Sequence, residues 1–122
     1  MNKQFNCTIL LLLATCLVFG QKNDAVKSEK HLKNIHQLTY GGNNAEAYWS
    51  PNSKSVTFQS DFKGWGVQCD QIFKMDIKKA IRDTTYRPKM ISTSLGRTTC
   101  SYFMPDSKHI LYASTHKGGD TR

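Results

Sequence analysis

Thirteen residues, Tyr48 to Ser60 (YWSPNSKSVTFQS), recur at Tyr102 to Ser114 (YFMPDSKHILYAS) with a constant offset of 54. Five positions are identical: Tyr48/Tyr102, Pro51/Pro105, Ser53/Ser107, Lys54/Lys108 and Ser60/Ser114. Four more keep their chemistry (Trp49/Phe103, Asn52/Asp106, Val56/Ile110 and Phe58/Tyr112), so nine of thirteen agree without a gap. Self-similarity at a period of tens of residues points to a stacked or radial architecture, in which each unit buries its apolar face against the next.

Each copy reads as a β-hairpin. An aromatic, β-favouring run meets Pro-Asn-Ser-Lys or Pro-Asp-Ser-Lys. There proline presets φ and stops the first strand, and Asn or Asp can bond backbone two residues on. A second β-branched and aromatic run follows, so two antiparallel strands joined by a four or five residue loop are expected.

These residues carry a family resemblance. Tyr48-Trp49-Ser50-Pro51-Asn52-Ser53-Lys54, then Val56, Phe58 and Ser60, is followed by Gln71-Ile72-Phe73-Lys74-Met75-Asp76-Ile77 and preceded by Gln37-Leu38-Thr39. This resembles the TolB-type β-propeller repeat, with its Trp-Ser-Pro-Asp-Gly-Lys hairpin, Ile-Tyr-x-Met-Asp strand and Leu-Thr strand. The resemblance covers Ile35 to Ser114 and implies a fold more than a function, since related propellers serve as envelope proteins, as front domains of peptidases and as sugar or metal binders. One departure stands out. Serine occupies the place of the expected glycine after Asn52 and after Asp106, and serine disfavours left-handed φ.

Ahead of the repeat, residues 1–20 read as an export signal: Lys3 is the positive end, Ile9 to Ala14 with Leu17 to Phe19 the apolar stretch, and Gly20 the small residue before cleavage. A rival reading takes Leu13-Ala14-Thr15-Cys16 as a lipoprotein box, with Cys16 lipidated. The stretch is too short and interrupted for a comfortable membrane span. Residues 21–34 are polar and read as a tether. The expected location is the periplasm or another exported compartment, or the outer membrane if Cys16 carries lipid.

From Ile35 to Arg122 the expected class is all-β. Strands are expected at Ile35 to Thr39, Ala45 to Ser50, Ser55 to Ser60, Gln71 to Ile77, Pro88 to Ser92, Thr99 to Met104 and His109 to Ser114. That is an antiparallel four-stranded blade plus part of a second blade of a TolB-like β-propeller, preceded by a signal peptide. A propeller needs about four blades or more, so the chain reads as the N-terminal portion of a longer protein. His109-Ile110-Leu111-Tyr112-Ala113 is apolar on both faces, which suits a strand between neighbouring blades.

The net charge is +8. Lys74, Lys78, Lys79, Arg82, Arg87 and Lys89 form a basic cluster that straddles an expected loop, which favours a solvated surface over nucleic acid, with an anionic glycan or membrane surface as the other reading. Beyond the signal stand Cys69 and Cys100. In adjacent blades both would sit at one end, so an oxidising compartment would let them pair; the alternative is two separately buried thiols. No metal site is expected from two cysteines without further ligands.

Catalytic signatures are absent: there is no Gly-x-Ser-x-Gly elbow and no His-Glu-x-x-His. His31, His36, His109 and His116 are scattered and read as surface residues. The long loop Asp61 to Asp70 carries Trp65 between glycines, and long loops on a regular scaffold are where binding tends to reside. Trp65 could stack on a sugar or peptide with Glu46, Asp61 and Asp70 beside it, or it could plug the blade end. Three functions follow. The first is a non-enzymatic envelope propeller that docks partner proteins, with no cofactor and no nucleic acid. The second is the front domain of a longer peptidase or hydrolase. The third is a carbohydrate or small-ligand binder working through the Asp61 to Asp70 loop.

Overall fold

The computed structural model describes residues 30–118. Most of the expected signal and tether, with Cys16, therefore lies outside the described residues. Ile35 onward forms a compact unit of its own, and it is built from strands.

Four of them form one antiparallel sheet in chain order: β1 (Asn44–Trp49), β2 (Ser55–Ser60), β3 (Gln71–Asp76) and the two-residue β4 (Lys89–Met90). A second, two-stranded antiparallel sheet follows, made of β5 (Thr98–Phe103) and β6 (Ile110–Ser114). The first hairpin is closed by Ser53 N–H to Ser50 C=O (2.8 Å) and Ser50 N–H to Ser55 C=O (2.8 Å). In the second, Ser107 N–H donates to Met104 C=O (3.0 Å) and Met104 N–H to His109 C=O (2.9 Å). These are the same turn displaced by one repeat. Asn52 Oδ1 accepts from Lys54 N–H at 3.1 Å, and Asp106 Oδ1 accepts from Lys108 and His109 N–H at 2.9 and 3.0 Å. Each is the local side-chain bond expected of these residue types.

The serines that replace glycine do adopt the left-handed conformation, with φ 56° at both Ser53 and Ser107. A second left-handed pair recurs at the same offset, Glu46 (φ 53°) and Cys100 (φ 49°). Both mark a β-bulge. Ala45 faces Gln59 and Tyr48 faces Thr57, so three steps along β1 match two along β2; Thr99 to Tyr102 against Ala113 to Leu111 repeats the pattern. The structural repeat thus begins at Asn44 and Thr98, earlier than the sequence identity.

One face of the first sheet carries the core. Val56, Phe58, Phe73 and Met75 are buried with Val67 and Ala80, and Leu38, Trp65, Ile77, Tyr86 and Met90 pack against them. The other face carries Thr57 and Lys74, and the second sheet lies over it. Thr57 Oγ1 and Ser101 Oγ are 2.8 Å apart and buried, Thr99 Oγ1 donates to Gln59 Oε1 at 2.7 Å, and Lys74 Nζ stands 5.8 Å from the centre of the Phe103 ring.

Three expectations are corrected. Ile35 to Thr39 is not a strand. Leu38 instead turns onto the core, and Gln37, Thr39 and Tyr40 bond one another locally. Pro88 to Ser92 forms a ladder only at Lys89 and Met90; beyond them the N–H groups of Ile91 and Ser92 both turn to the Ile72 carbonyl (2.8 and 3.4 Å), and the Ser92 hydroxyl accepts from Ile72 N–H (2.9 Å) and donates to Gln71 Oε1 (2.7 Å). The stretch after β3, read as loop, is a helix, α1 (Ile77–Arg82). Asp76 caps it by accepting from Lys79 N–H at 3.0 Å. Ala80 is its buried residue, and Lys78, Lys79 and Arg82 lie exposed on it.

Candidate functional site

The loop from Asp61 to Asp70 is built as packing. Asn43 gives its N–H to Asp61 Oδ1 (2.7 Å) and its side-chain amide to Oδ2 (2.8 Å), and these bonds hold the Asp61 carboxyl below its ordinary pKa. The Phe62 ring fills the space over Gly41 and Gly64, where an added Cβ would come within 2.5 and 2.6 Å of it. A 3-10 turn (Lys63–Trp65) then ends at left-handed Gly66. It points the Trp65 ring at Phe73, Phe62 and Phe58, with centroids 4.9, 5.2 and 6.1 Å away. The Arg87 guanidinium donates to the Trp65 carbonyl.

The other two residues of the expected binding group are engaged elsewhere. Glu46 sits at the β1 bulge and accepts from the Tyr48 hydroxyl at 2.7 Å, a bond that raises the Tyr48 pKa. Asp70 receives the Thr98 N–H and hydroxyl on its carbonyl (3.1 and 3.0 Å) and lines a polar groove with Gln59, Arg97 and Thr99. Glu46, Asp61, Trp65 and Asp70 therefore have four distinct sets of neighbours.

Cys69 and Cys100 are not joined as a disulfide. Cys69 Sγ lies 3.2 Å from the Gly96 carbonyl oxygen and Gln71 Nε2 reaches it at 3.7 Å, while Cys100 Sγ lies at the exposed bulge, 3.4 Å from Thr99 Oγ1. His109 Nδ1 is 2.5 Å from Asp106 Oδ2, and His116 Nδ1 is 2.9 Å from Ser114 Oγ. Among the described residues no three His, Cys, Asp or Glu side chains converge on a metal site, and no helix is long and apolar enough to cross a membrane.

Binding potential concentrates instead on the outward face of the second sheet. In the first unit Tyr48 and Thr57 share the face that β5 covers. Their counterparts, Tyr102 and Leu111, pair across β5 and β6 on the equivalent face and stand open. Tyr48 meets Tyr102 edge to face at 5.8 Å. The sequence carried the signal for this face in the two-sided apolar run from His109 to Ala113; it did not show which side would be left open. Comparison with protein families, curated proteins and solved structures finds no match for the chain.

Proposed function

We propose that this chain is a non-enzymatic, exported scaffold of stacked blade-like repeats, of the TolB-type propeller kind, and that it works by docking partner proteins on the open side of its second repeat. One observation carries the reading. Thr57 and Leu111 are the same position in the two units, yet polar Thr57 is 0% exposed while apolar Leu111 is 67% exposed. Solvent alone would select the reverse. A leucine held in water on the face that its counterpart buries is a residue waiting for cover, and Tyr102 beside it extends the patch.

The supporting geometry is the stack itself. The first unit shows how such a face is covered, by another sheet laid across it with hydroxyl pairs and an aromatic contact. The Asp61 to Asp70 loop supports a sugar or peptide site less well, since its Trp65 ring and Asp61 carboxylate are committed to internal contacts. A photo-crosslinking side chain placed at Leu111 in exporting cells should give discrete protein adducts. The same group at Lys78 on α1 should give none, and Tyr102→Asp should abolish those at Leu111. Equal labelling from both positions, or hydrolysis of peptide or glycan substrates by the purified chain, would sink the proposal.

A further inference from the structure

We infer that the hairpin-turn end of the first sheet, with α1 at its centre, is a docking surface for a bilayer of anionic phospholipid. Topology gathers the charge there. β2 and β3 pair Ser55 with Asp76, and Ile77 N–H donates to Lys54 C=O at 3.2 Å, so α1 starts beside the first turn. β4 runs back from the same end, with Lys89 opposite Lys74. The second turn opens there too, because β5 starts beside Asp70, whose carbonyl accepts from Thr98 N–H at 3.1 Å, and reaches Lys74 with the Phe103 ring. Lys54, Lys78, Lys79, Arg82, Lys89 and Lys108 therefore share one end of the two sheets, and all six are exposed. Lys54 and Lys108 hold the same place in the repeat. The end of a sheet, unlike its faces and edges, is not closed by a neighbouring repeat.

Two features set this end apart from an ordinary solvated surface. The first is that its negative charge is engaged internally. Asp76 accepts from Lys79 N–H, Asp83 from the N–H and hydroxyl of Thr85, and Asp106 from Lys108 N–H, His109 N–H and the His109 ring. Among the described residues none of the six cations is ion-paired with a carboxylate. The second feature is apolar. Ala80 is buried under α1, while Lys78, Ile81 and Arg82 follow one another at i, i+3 and i+4 and line an exposed face, on which Ile81 is 42% open. An aliphatic side chain flanked by cations matches a lipid interface, where the cations meet phosphates and the aliphatic group enters the acyl boundary. A polyanionic glycan would engage the cations and leave Ile81 in water. Asp61 and Asp70 lie in the β2–β3 loop at the other end, so the field of the unit turns its hairpin end toward an anionic surface.

The test sediments the full chain with vesicles of phosphatidylcholine containing about one-third phosphatidylglycerol. Vesicles of phosphatidylcholine alone read whatever the apolar residues 9–19 contribute. Binding should require the anionic lipid and be released by high salt. Each basic side chain at such a surface is worth about fivefold in partition, so Lys78→Gln with Lys79→Gln should weaken binding by about tenfold or more. Arg97 and Lys117 stand at the opposite end, where Thr115 N–H bonds the Arg97 carbonyl. Arg97→Gln with Lys117→Gln removes the same charge and should leave binding within about twofold. Ile81→Ala should weaken vesicle binding by about threefold or more and leave binding to dextran sulfate unchanged. Sedimentation that does not depend on phosphatidylglycerol, or equal effects of the two charge pairs, overturns the inference. An Ile81→Ala variant that binds vesicles as the parent does also overturns it and assigns the end to a polyanion in place of a bilayer. The vesicles contain no protein, so these outcomes are separate from the docking of partners at Leu111.

Discussion

Ser53 and Ser107 each hold φ at 56°, and replacing them with glycine isolates the energetic cost of that conformation. A left-handed residue with a Cβ costs about 1–2 kcal/mol, and glycine returns about 0.5–1 kcal/mol of this through its greater freedom in the unfolded chain. Neither serine hydroxyl makes a hydrogen bond among the described residues, and the turn bonds run through backbone N–H groups that glycine keeps. Ser53→Gly and Ser107→Gly should therefore each stabilise by about 0.5–1 kcal/mol. The sites lie in separate hairpins, so the double variant should gain about 1–2 kcal/mol, close to the sum. Urea unfolding followed by Trp49 and Trp65 fluorescence reads this as a raised midpoint at constant slope. Ser→Ala at each site is the control, since it retains the Cβ and should gain nothing. Glycine variants no more stable than their alanine controls would refute left-handed strain at these turns.

Three other perturbations test separate contacts. Asp106 accepts from Lys108 and His109 and its pKa is lowered to about 2, so its contribution to stability is complete above the ordinary value of 3.8 and is lost as pH falls toward 2; a carboxyl NMR titration should place the midpoint there, and Asp106→Asn should remove that part of the acid dependence. Thr57→Val strands the buried Ser101 hydroxyl and should cost about 1–3 kcal/mol, whereas adding Ser101→Ala should restore most of it, a coupling that a double-mutant cycle reads directly. Asp76→Ala removes the acceptor for Lys79 N–H and should cost about 1 kcal/mol, with faster amide exchange confined to Lys78 through Ala80.

The hairpins were legible because proline, Asx and lysine at fixed spacing encode a turn, and the turn sets the register of both strands. β3 was readable from Gln71, but the expected strand ran one residue too far, to Ile77, where the helix begins. The helix was not: six residues show less than two turns of periodicity, and Asp76 serves at once as the last strand residue and as the cap. Ile35 to Thr39 has strand-like composition, but composition does not say whether a partner edge is available, and Leu38 finds the core instead. For Trp65 the loop offered both a stacking platform and a plug; the ring stands among Phe58, Phe62 and Phe73. The open face escaped notice for a different reason. Leu111 reads as apolar from the sequence, but its exposure depends on which neighbouring face is covered, a property of the stack rather than of the strand.

The bulges separate what side chains encode from what pairing imposes. Glu46 and Cys100 share nothing chemically, and their neighbours Ala45/Thr99 and Ala47/Ser101 are equally unlike, yet the same left-handed kink falls at the same offset. No local preference common to both residues can produce it. What the two units do share is the turn that starts each ladder and the serine near its far end, Ser60 and Ser114, which meet Asn44 and Thr98. With both ends of the ladder set, the first strand holds one residue more than its partner can match, and the surplus is absorbed at a single left-handed position. A bulge also changes which side chains face inward beyond it. In the second unit it lies between Thr99, bonded to Gln59, and Ser101, bonded to Thr57. The strained residue is thus coupled to the contacts by which one repeat stacks on the other.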